Sequence, residues 1–545
     1  MSSRPASSQL FTHARVFTGE GFSDPTSLFV AGGRIVALGP EAEAAAAAHA
    51  GSGITSLAPE TVDLAGGYLM PGFVESHGHP TMYGGSLIDV DVRPSAVQSI
   101  TEIQKQVSIA LEDAEPGQWI RARGWDETYI LEGRVPTRDD LDEVAPDNPV
   151  VLERTCGHMR VVNSAALTAS GVDESVEDPA GGRFARDGNG RLTGLVQEDA
   201  MKSIAVPKHT DEELARGFAL AQEDFAAWGV TCVNDLWTSA QSVRLYTRLA
   251  QEGALRLRVR PWLGAIDMSG MTGLLYSAVG AGITSGYGND LVRIQGVKFV
   301  LDGAMGGRTA AVTCPFEGTD NHGILLQADT EALAAHFRVA ADGGLRLAIH
   351  GIGDAAIEQA LEALERIDRE DWIKENRIRI EHCSLPTDSQ LDRMVEWNLV
   401  ASSSVGFVYH LGDSYINVLG EERVKRVFPH RTFIDRGIVA PGNSDIPVTN
   451  GNPWEGIYGL VTRTTRTGRV MDTEQNVTLA EAIAAYTRDG AYGTFEENDF
   501  GTLEVGKFAD MQVYTENPFD LAPEQWLELA PQRVFLGGSQ VWSAP

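Results

Sequence analysis

Residues 347–350 read LAIH, residues 351–354 read GIGD, and residues 355–367 place apolar side chains at helical spacing. The apolar run predicts a buried strand, the glycines predict a loop, and the spacing predicts an amphipathic helix. Similar strand endings occur at residues 230–235 (VTCVND) and 378–382 (IRIEH). Repeated strand–loop–helix units predict a parallel sheet, because a helix must return the chain to the start of the next parallel strand.

The length of the chain, 545 residues, favours an α/β fold of the (β/α)8 TIM-barrel type over an open, doubly wound sheet. No G-x-G-x-x-G run follows a strand and no P-loop pattern occurs, so a nucleotide-binding sheet is not indicated. Residues 84–201 break the strand–helix rhythm with loop-rich pieces. We predict that they form an insertion within the barrel domain that covers the mouth of the barrel.

The two ends of the chain follow a different pattern. Residues 28–38 and 533–542 each read as a strand, a Gly-Gly turn and a second strand. We therefore predict a small β-sandwich domain formed by residues 1–70 together with residues 490–545. The barrel domain then comprises residues 71–489.

Composition narrows the class of partner. Hydrophobic residues make up 43% and charged residues 22%, which is typical of a globular protein. A net charge of −31, from 75 acidic and 44 basic residues, argues against binding to nucleic acid or to an anionic membrane. We expect a small-molecule substrate instead, and the acidity to be a property of the solvated surface.

Sequence signals of location indicate a cytoplasmic protein. Residues 1–11 lack a basic start followed by an apolar run, and no apolar stretch approaches the roughly 20 residues needed to span a bilayer. The four cysteines form no C-x-x-C pair, which argues against a cysteine-based structural zinc site and indicates a reduced protein.

Metal-binding chemistry is indicated by residues 71–80, which read PGFVESHGHP. His77 and His79 stand two apart, so in a strand both side chains point to the same face and could bind one metal ion. Each residue taken alone could equally be a hydrogen-bonded structural residue. In a parallel barrel, however, the carboxyl ends of the strands converge on one mouth, and imidazole and carboxylate ligands there suit zinc. Three further candidates each close an apolar run, namely His350, His382 and Asp445.

One of the seven lysines, Lys298, lies within an apolar strand, residues 294–301 (IQGVKFVL). A buried ammonium is costly unless it is paired or chemically changed. An ion pair with Asp302 or another carboxylate is one solution. The other is reaction with carbon dioxide, which would convert the amine into a carbamate able to bridge two metal ions.

These residues resemble the motifs of the amidohydrolase superfamily, in particular its amidohydrolase-3 branch, which includes enzymes similar to N-substituted formamide deformylase. The resemblance covers nearly the whole chain, and it is far more specific for the superfamily than for any substrate. The matching motifs are PGF (71–73) with HGH (77–79), GWD (124–126), CGHM (156–159), Lys298, DGA (302–304), GRTA (307–310), HGIGD (350–354), EH (381–382), SDIPV (444–448) and GTLEVGKFAD (501–510).

The resemblance implies the roles of the site residues. Asp445 would act as the general base for a metal-activated hydroxide and would then pass its proton to the leaving amine. Carbamylated Lys298 would bridge two positions for a divalent metal, with zinc expected at one or two ions per chain. The implied metal ligands are His77, His79 and Asp445 at the more buried position, His350 and His382 at the second, and Lys298 between them.

Substrate contacts are less well defined. His158 is a candidate for substrate contact or oxyanion support, with a structural role as the alternative. Arg308 and Trp125 are further candidates, against an ion pair with a loop carboxylate for the former and simple packing for the latter.

We therefore predict a metal-dependent hydrolase that cleaves the C–N bond of an amide, with an N-substituted formamide or an N-acyl amine as its substrate. Hydrolysis of a cyclic amide, a carbamate or an ester, or a deamination, are alternatives at the same metal site. A non-catalytic assembly protein of the superfamily is a further alternative, which the complete ligand set disfavours. The resemblance is compatible with a homodimer.

Overall fold

The structure, a computed structural model, describes residues 8–51, 58–94, 96–154, 159–179, 182–268, 271–327 and 329–545. Two compact units divide the chain. The first combines the residues up to Pro80 with Gln222–Pro545, and the second is Thr81–Ala221. Residues 84–201, the predicted insertion, fall within the second unit. Their predicted position over the barrel mouth remains a prediction.

The strands in the described residues are β1 (Gln9–Val16), β2 (Thr26–Ala31), β3 (Arg34–Leu38), β4 (Glu60–Asp63), β5 (Tyr68–Pro71), β6 (Phe73–Gly78), β7 (Val90–Asp91), β8 (Ile120–Trp125), β9 (Val150–Arg154), β10 (Met159–Val162), β11 (Gly182–Arg186), β12 (Leu192–Glu198), β13 (Val230–Thr238), β14 (Arg258–Gly264), β15 (Gly296–Val300), β16 (Arg346–Gly351), β17 (Arg379–His382), β18 (Val400–Ser403), β19 (Met511–Tyr514), β20 (Arg533–Leu536) and β21 (Ser539–Ser543).

The α-helices are α1 (Glu41–Gly51), α2 (Pro80–Ile88), α3 (Ile100–Leu111), α4 (Arg138–Asp142), α5 (Ser164–Ala169), α6 (Asp211–Ala227), α7 (Ala240–Glu252), α8 (Leu275–Gly280), α9 (Thr330–Asp342), α10 (Asp354–Arg366), α11 (Glu370–Asn376), α12 (Asp388–Glu396), α13 (Gly406–Arg423), α14 (His430–Asp435), α15 (Pro453–Thr462), α16 (Leu479–Ala485), α17 (Arg488–Gly493) and α18 (Pro523–Trp526).

Seven parallel strands form a nearly closed barrel in the first unit, in the order β18-β17-β16-β15-β14-β13-β6. Their residues are buried almost throughout, as in β6, β14 and β17. Such near-continuous burial is expected where both faces of a parallel sheet are covered. The predicted strand–loop–helix unit at 347–367 is confirmed as β16 followed by α10.

The barrel is completed by an irregular segment, residues 438–445, where the sequence predicts an eighth strand. Backbone hydrogen bonds join it to β18, from Ala401 N to Val439 O at 3.1 Å and from Ser403 N to Pro441 O at 2.9 Å. On its other side, Asp445 N donates to His77 O at 2.9 Å. A regular strand does not form here because Pro441 has no N–H to donate and Asp445 adopts a left-handed φ of 54°.

Both ends of the chain contribute to one eight-stranded sheet in the order β21-β20-β19-β5-β1-β2-β3, with β4 beside β1. The two ends meet where β19 pairs antiparallel with β5, in a register that sets Met511 opposite Pro71. A shared terminal sheet therefore exists as the Gly-Gly turns suggested. The sandwich arrangement remains a prediction.

The second unit is built around its own six-stranded sheet, in the order β11-β12-β10-β9-β8-β7. Side chains of α3 and β8 fill one of its hydrophobic cores, including Ile103, Val107 and Trp125. Among the helices of the described residues, none combines the length and hydropathy that a membrane crossing requires.

A buried ion pair ties the terminal sheet to the barrel. Arg258, the first residue of β14, donates from Nε to Asp510 Oδ2 at 2.6 Å and from Nη2 to Asp510 Oδ1 at 3.0 Å. Both side chains are almost fully buried, and the guanidinium also lies 3.7 Å above the ring of Phe508. The charges can be buried here because each satisfies the other.

The variant Asp510→Ala should destabilise the protein by about 3–5 kcal/mol, because it leaves the Arg258 guanidinium buried without its carboxylate. Chemical denaturation followed by circular dichroism measures the effect. Glu370→Ala removes an exposed ion pair with Lys374 and should leave the denaturation midpoint close to that of the wild type. Equal midpoints for Asp510→Ala and the wild type would contradict the importance of the buried pair.

Candidate metal centre

Strand β6 supplies the first part of the centre. His77 is 1% exposed near the carboxyl end of this strand, and the side chain of His79, just beyond it, is 18% exposed. Asp445 faces both imidazoles, since its Oδ1 atom lies 3.4 Å from His77 Nε2 and 3.1 Å from His79 Nε2. One ligand atom from each of the three residues lies within 4.8 Å of the others, a spacing that could hold a metal ion.

The position of Asp445 is set by hydrogen bonds of the residues beside it rather than by hydrogen bonds of its own carboxylate. Glu75 accepts hydrogen bonds from Ser444 N at 3.1 Å and Ser444 Oγ at 2.7 Å, and from His77 N at 3.1 Å. These bonds fix the residues beside Asp445 and His77. The contacts of Asp445 Oδ1 with the imidazoles lack hydrogen-bond geometry, and in the described part of the chain this buried oxygen has no hydrogen-bond partner.

In His77 and His382, a hydrogen bond to one ring nitrogen, Nδ1, leaves the other nitrogen, Nε2, free. His77 Nδ1 lies 2.6 Å from Glu381 Oε2, and His382 Nδ1 lies 2.8 Å from Ser404 Oγ. The Nε2 atom of each ring is therefore the one available to a metal ion. Burial is the main cause that holds the pKa of His77 and of His382 well below the usual range, so both rings are neutral, as metal binding requires.

His350 is oriented the opposite way. Its Nε2 atom lies 3.1 Å from both Gly303 O and Asp302 Oδ1, so its Nδ1 atom is the one left free. Asp302 is itself fixed, because its carboxylate accepts backbone N–H bonds from Ala311 at 2.9 Å and Gly353 at 2.9 Å. The loops that follow β15 and β16 are thereby tied together behind the His350 ring.

The four imidazoles form one contiguous group. Ring centroids are 5.5 Å apart for His77 and His79, 4.6 Å for His77 and His382, and 4.4 Å for His350 and His382. The convergence of parallel strand ends, expected from the sequence, thus brings together residues that lie hundreds of positions apart in the chain.

Lys298 lies on β15 and is 2% exposed. Its Nζ atom has no hydrogen-bond partner in the regions that the structure describes. Burial lowers the pKa of Lys298 to about 8, against the opposing charges of Glu381 and Asp445. The ion pair with Asp302 that the sequence left open is not formed, because backbone N–H groups and His350 take the oxygens of that carboxylate.

The residues present fit a divalent metal ion. They offer neutral imidazole nitrogens and, within the described ranges, a buried carboxylate oxygen and a buried amine that lack hydrogen-bond partners. Nitrogen and oxygen donors of this kind match the preferences of zinc and similar ions.

The three candidate substrate residues differ in their surroundings. Trp125 is fully buried in the core of the second unit and donates its indole N–H to Leu152 O at 3.0 Å. Its role as a substrate contact remains a prediction. Arg308 is half-buried in the loop after β15, and its guanidinium forms no ion pair within the described residues. His158 lies outside the described residues.

Three buried residues that support the centre were not identified from the sequence. Glu75 holds the Ser444–Asp445 turn, and Arg379 and Glu381 hold His77 from β17. Although burial alone would raise it, the charges of Arg379 and Lys298 lower the pKa of Glu381. A signal existed, because VESH and RIEH both place an ionisable residue two positions from another on one strand face.

The similarity to known proteins extends over most of the chain. The amidohydrolase family model matches residues 60–542. An N-substituted formamide deformylase of Arthrobacter pascens is 28% identical over 520 residues, which cover 94% of each chain. The crystal structure of an uncharacterized metal-dependent hydrolase from Pyrococcus furiosus is 28% identical with a TM-score of 0.76, covering 94% of this chain and 99% of that one. A second, from Pyrococcus horikoshii OT3, is 26% identical with a TM-score of 0.79, covering 95% and 99%.

A pH-dependent effect is expected for the variant Glu75→Gln. Burial raises the pKa of Glu75 from its usual 4.5 to about 8, despite the hydrogen bonds from Ser444. Between these values the folded protein holds a proton that the unfolded chain has released, so wild-type stability falls as the pH rises through this window. The free energy of unfolding of Glu75→Gln relative to the wild type should therefore increase from pH 5 to pH 8.

Thermal denaturation of chelator-treated protein at several pH values in this window measures the difference. Glu474→Gln, at an exposed position, serves as the matched control and should follow the wild-type profile. A constant difference between Glu75→Gln and the wild type would show that Glu75 enters the folded state ionised.

Proposed function

This chain belongs to the amidohydrolase family, and we propose that it hydrolyses the C–N bond of an amide, with an N-substituted formamide or an N-acyl amine as the substrate class. The family and the pyrococcal structures support a metal-dependent hydrolase. The choice of bond and substrate is supported by the similarity to the formamide deformylase of Arthrobacter pascens.

One observation carries the proposal. A buried carboxylate oxygen of Asp445 stands between two imidazole Nε2 atoms, with no hydrogen bond of its own in the described residues. Such an oxygen is costly to bury unless something positive or protonated meets it there. A metal-assisted hydrolysis supplies both, since the metal ions are positive and the attacking water must lose a proton.

In this proposal zinc is held by residues of the barrel mouth. When bound, the metal ions lower the pKa of a water molecule and polarise the amide carbonyl. The ligands would be His77, His79 and Asp445 at one position, His350 and His382 at a second, and carbamylated Lys298 at both.

Asp445 moves the proton. Its carboxylate accepts the proton released as water attacks the carbonyl carbon, and it then donates that proton to the amide nitrogen as the C–N bond breaks. A proton is needed there because an amine leaves far more readily than its anion. Water and the amide are thus converted into a carboxylic acid and an amine, and Asp445 returns to its starting state.

Lys298 is suited to carbamylation. An amine with a pKa of about 8 is partly neutral near physiological pH, and a neutral amine nitrogen can attack the carbon of carbon dioxide. The ammonium first loses one proton, the neutral nitrogen then forms the N–C bond as one C=O π bond of carbon dioxide opens onto oxygen, and the nitrogen releases a second proton. The side chain thereby changes from a cation to an anion. That change would also resolve the cost of a buried ammonium that has no hydrogen-bond partner in the part of the chain the structure describes.

Arg308 and His158 are the proposed substrate contacts. The loop that carries Arg308 folds back at Gly303, whose N–H donates to Thr309 O at 3.3 Å and whose carbonyl contacts His350. The loop backbone beside Arg308 is therefore tied to the loop segment that contacts His350. The proposal for His158 rests on the resemblance of the CGHM motif alone.

The proposal predicts that zinc-loaded protein releases an amine from formamides or N-acyl amines in a panel that also contains lactams, carbamates and esters. Chelation should abolish turnover and zinc should restore it. Asp445→Asn should lower kcat by at least about 10²-fold, because an amide cannot take and return the proton. Amine release and metal content are measured on the same samples.

The exposed variant Asp520→Asn is the matched control and should keep wild-type turnover. A protein that binds no zinc, manganese, nickel or iron, and gains no activity when they are added, would refute the metal-dependent reaction. Substantial turnover by Asp445→Asn would refute its role as the base.

A second prediction concerns Lys298→Ala, which removes the amine that the carbamate requires. Metal content and kcat should both fall, and short-chain carboxylates such as propionate should restore part of each by supplying the missing bridge. Intact-protein mass spectrometry of freshly metal-loaded wild type should detect the mass of one added carbon dioxide on Lys298. Unmodified Lys298 in fully active, metal-loaded protein would contradict the carbamate.

A further inference from the structure

Two buried residues of β17, Arg379 and Glu381, act on a histidine of a different strand. They stand two positions apart, so both point to the same side of the strand, into the barrel. Neither is exposed. Glu381 Oε2 lies 2.6 Å from His77 Nδ1, and Arg379 Nε donates to Glu381 Oε1 at 2.7 Å.

Arg379 also holds the main chain that carries this histidine. Its Nη2 atom donates to Ser76 O at 2.6 Å and to Ser402 Oγ at 3.0 Å. The guanidinium carbon lies 4.9 Å from the ring centre of Trp262, and this contact restricts the orientation of the guanidinium. Strand β17 therefore holds His77 at two points, the peptide before it and the ring nitrogen that faces away from Asp445.

The contact with Glu381 decides which nitrogen of His77 carries hydrogen. An ionised carboxylate only accepts hydrogen bonds, so the neutral ring must carry its hydrogen on Nδ1. Nε2, 3.4 Å from Asp445 Oδ1, is then the atom with a lone pair. In the opposite tautomer the hydrogen would stand on Nε2, and that nitrogen could not bind a metal ion.

If Glu381 only formed an ion pair with Arg379, its carboxylate would not need to contact His77 Nδ1. Arg379 already donates to both carboxylate oxygens, from Nε to Oε1 at 2.7 Å and from Nη2 to Oε2 at 3.1 Å. The second carboxylate oxygen approaches His77 at the short distance of a charge-assisted hydrogen bond. His382 offers a comparison, because its Nδ1 atom meets the neutral hydroxyl of Ser404 rather than a carboxylate.

We infer that Glu381 is a positioning residue that sets the tautomer and orientation of His77 and so the affinity of the first metal position, with Arg379 holding Glu381 in place. This inference rests on the proposed metal centre. It adds that β17 serves both metal positions, since it ends in His382 and also controls His77 from across the barrel.

The test is the metal affinity of Glu381→Gln. A glutamine can place either its amide oxygen against His77 Nδ1, which turns its NH2 group toward Arg379, or its NH2 group against Nδ1, which forces hydrogen onto Nε2. Either arrangement weakens binding, and we expect a loss of zinc affinity of about 10- to 100-fold. Competition with a chromophoric chelator measures the affinity, and the visible spectrum of the cobalt-substituted protein reports the altered ligand geometry.

A double-mutant cycle separates positioning from general structure. In the His77→Ala background, Glu381→Gln should cause no further loss of zinc affinity, because the ring on which it acts is gone. Equal losses in the two backgrounds would overturn the inference. A wild-type zinc affinity and cobalt spectrum for Glu381→Gln would overturn it as well.

Glu455→Gln is a matched control, since Glu455 Oε2 lies 2.7 Å from His410 Nε2 in a similar pair outside the proposed ligand set. It should keep wild-type zinc affinity. If Glu381→Gln fails to fold, Glu381→Asp decides, because aspartate keeps the charge but cannot reach Nδ1 at the same distance, so unchanged affinity would overturn the inference. Wild-type protein that binds no metal would instead refute the proposed function.

Discussion

Charged groups inside the barrel must find partners in a region from which water is largely excluded, and the rest of the structure depends on how they do so. Most are satisfied by each other, as Arg379 is by Glu381 and Arg258 is by Asp510. Such pairs contribute little net stability when intact but are strongly destabilising when one partner is lost. They therefore constrain the fold chiefly by excluding arrangements that would separate the two charges.

Against this background, two charged groups of the candidate metal centre stand out. Buried arginines of the barrel use a planar fork that matches a carboxylate, whereas Lys298 is buried with no hydrogen bond among the described residues. Asp445 Oδ1 is in the same condition. Two unsatisfied groups of opposite charge in one barrel mouth are costly in the protein alone, and a metal ion with a modified lysine would resolve both.

The supporting residues explain why a site assembled from four strand ends can keep one geometry. Glu75 fixes the turn before Asp445, Asp302 fixes the loops behind His350, and Glu381 fixes the ring of His77. Each of the three carboxylates fixes the orientation of a proposed metal ligand or of its loop through hydrogen bonds. None of them is assigned a step of the proposed reaction. The fold alone does not decide the substrate, because substrate choice depends on the site built on it.

Much of this could be predicted from local sequence, because it depends on spacing along one strand or helix. The alternation in β6 placed His77 and His79 on one face, and the apolar runs ending in His350 and His382 indicated parallel strand ends. The eighth strand could not be predicted correctly, because Pro441 and the positive φ of Asp445 disrupt pairing while backbone bonds to both neighbouring strands still close the barrel. The full burial of Trp125 could not be predicted either, because burial depends on neighbours distant in the sequence. Only the tertiary structure decided which nitrogen of each histidine is free and that Lys298 has no ion pair with Asp302, since those outcomes depend on atoms of different strands meeting within hydrogen-bond distance.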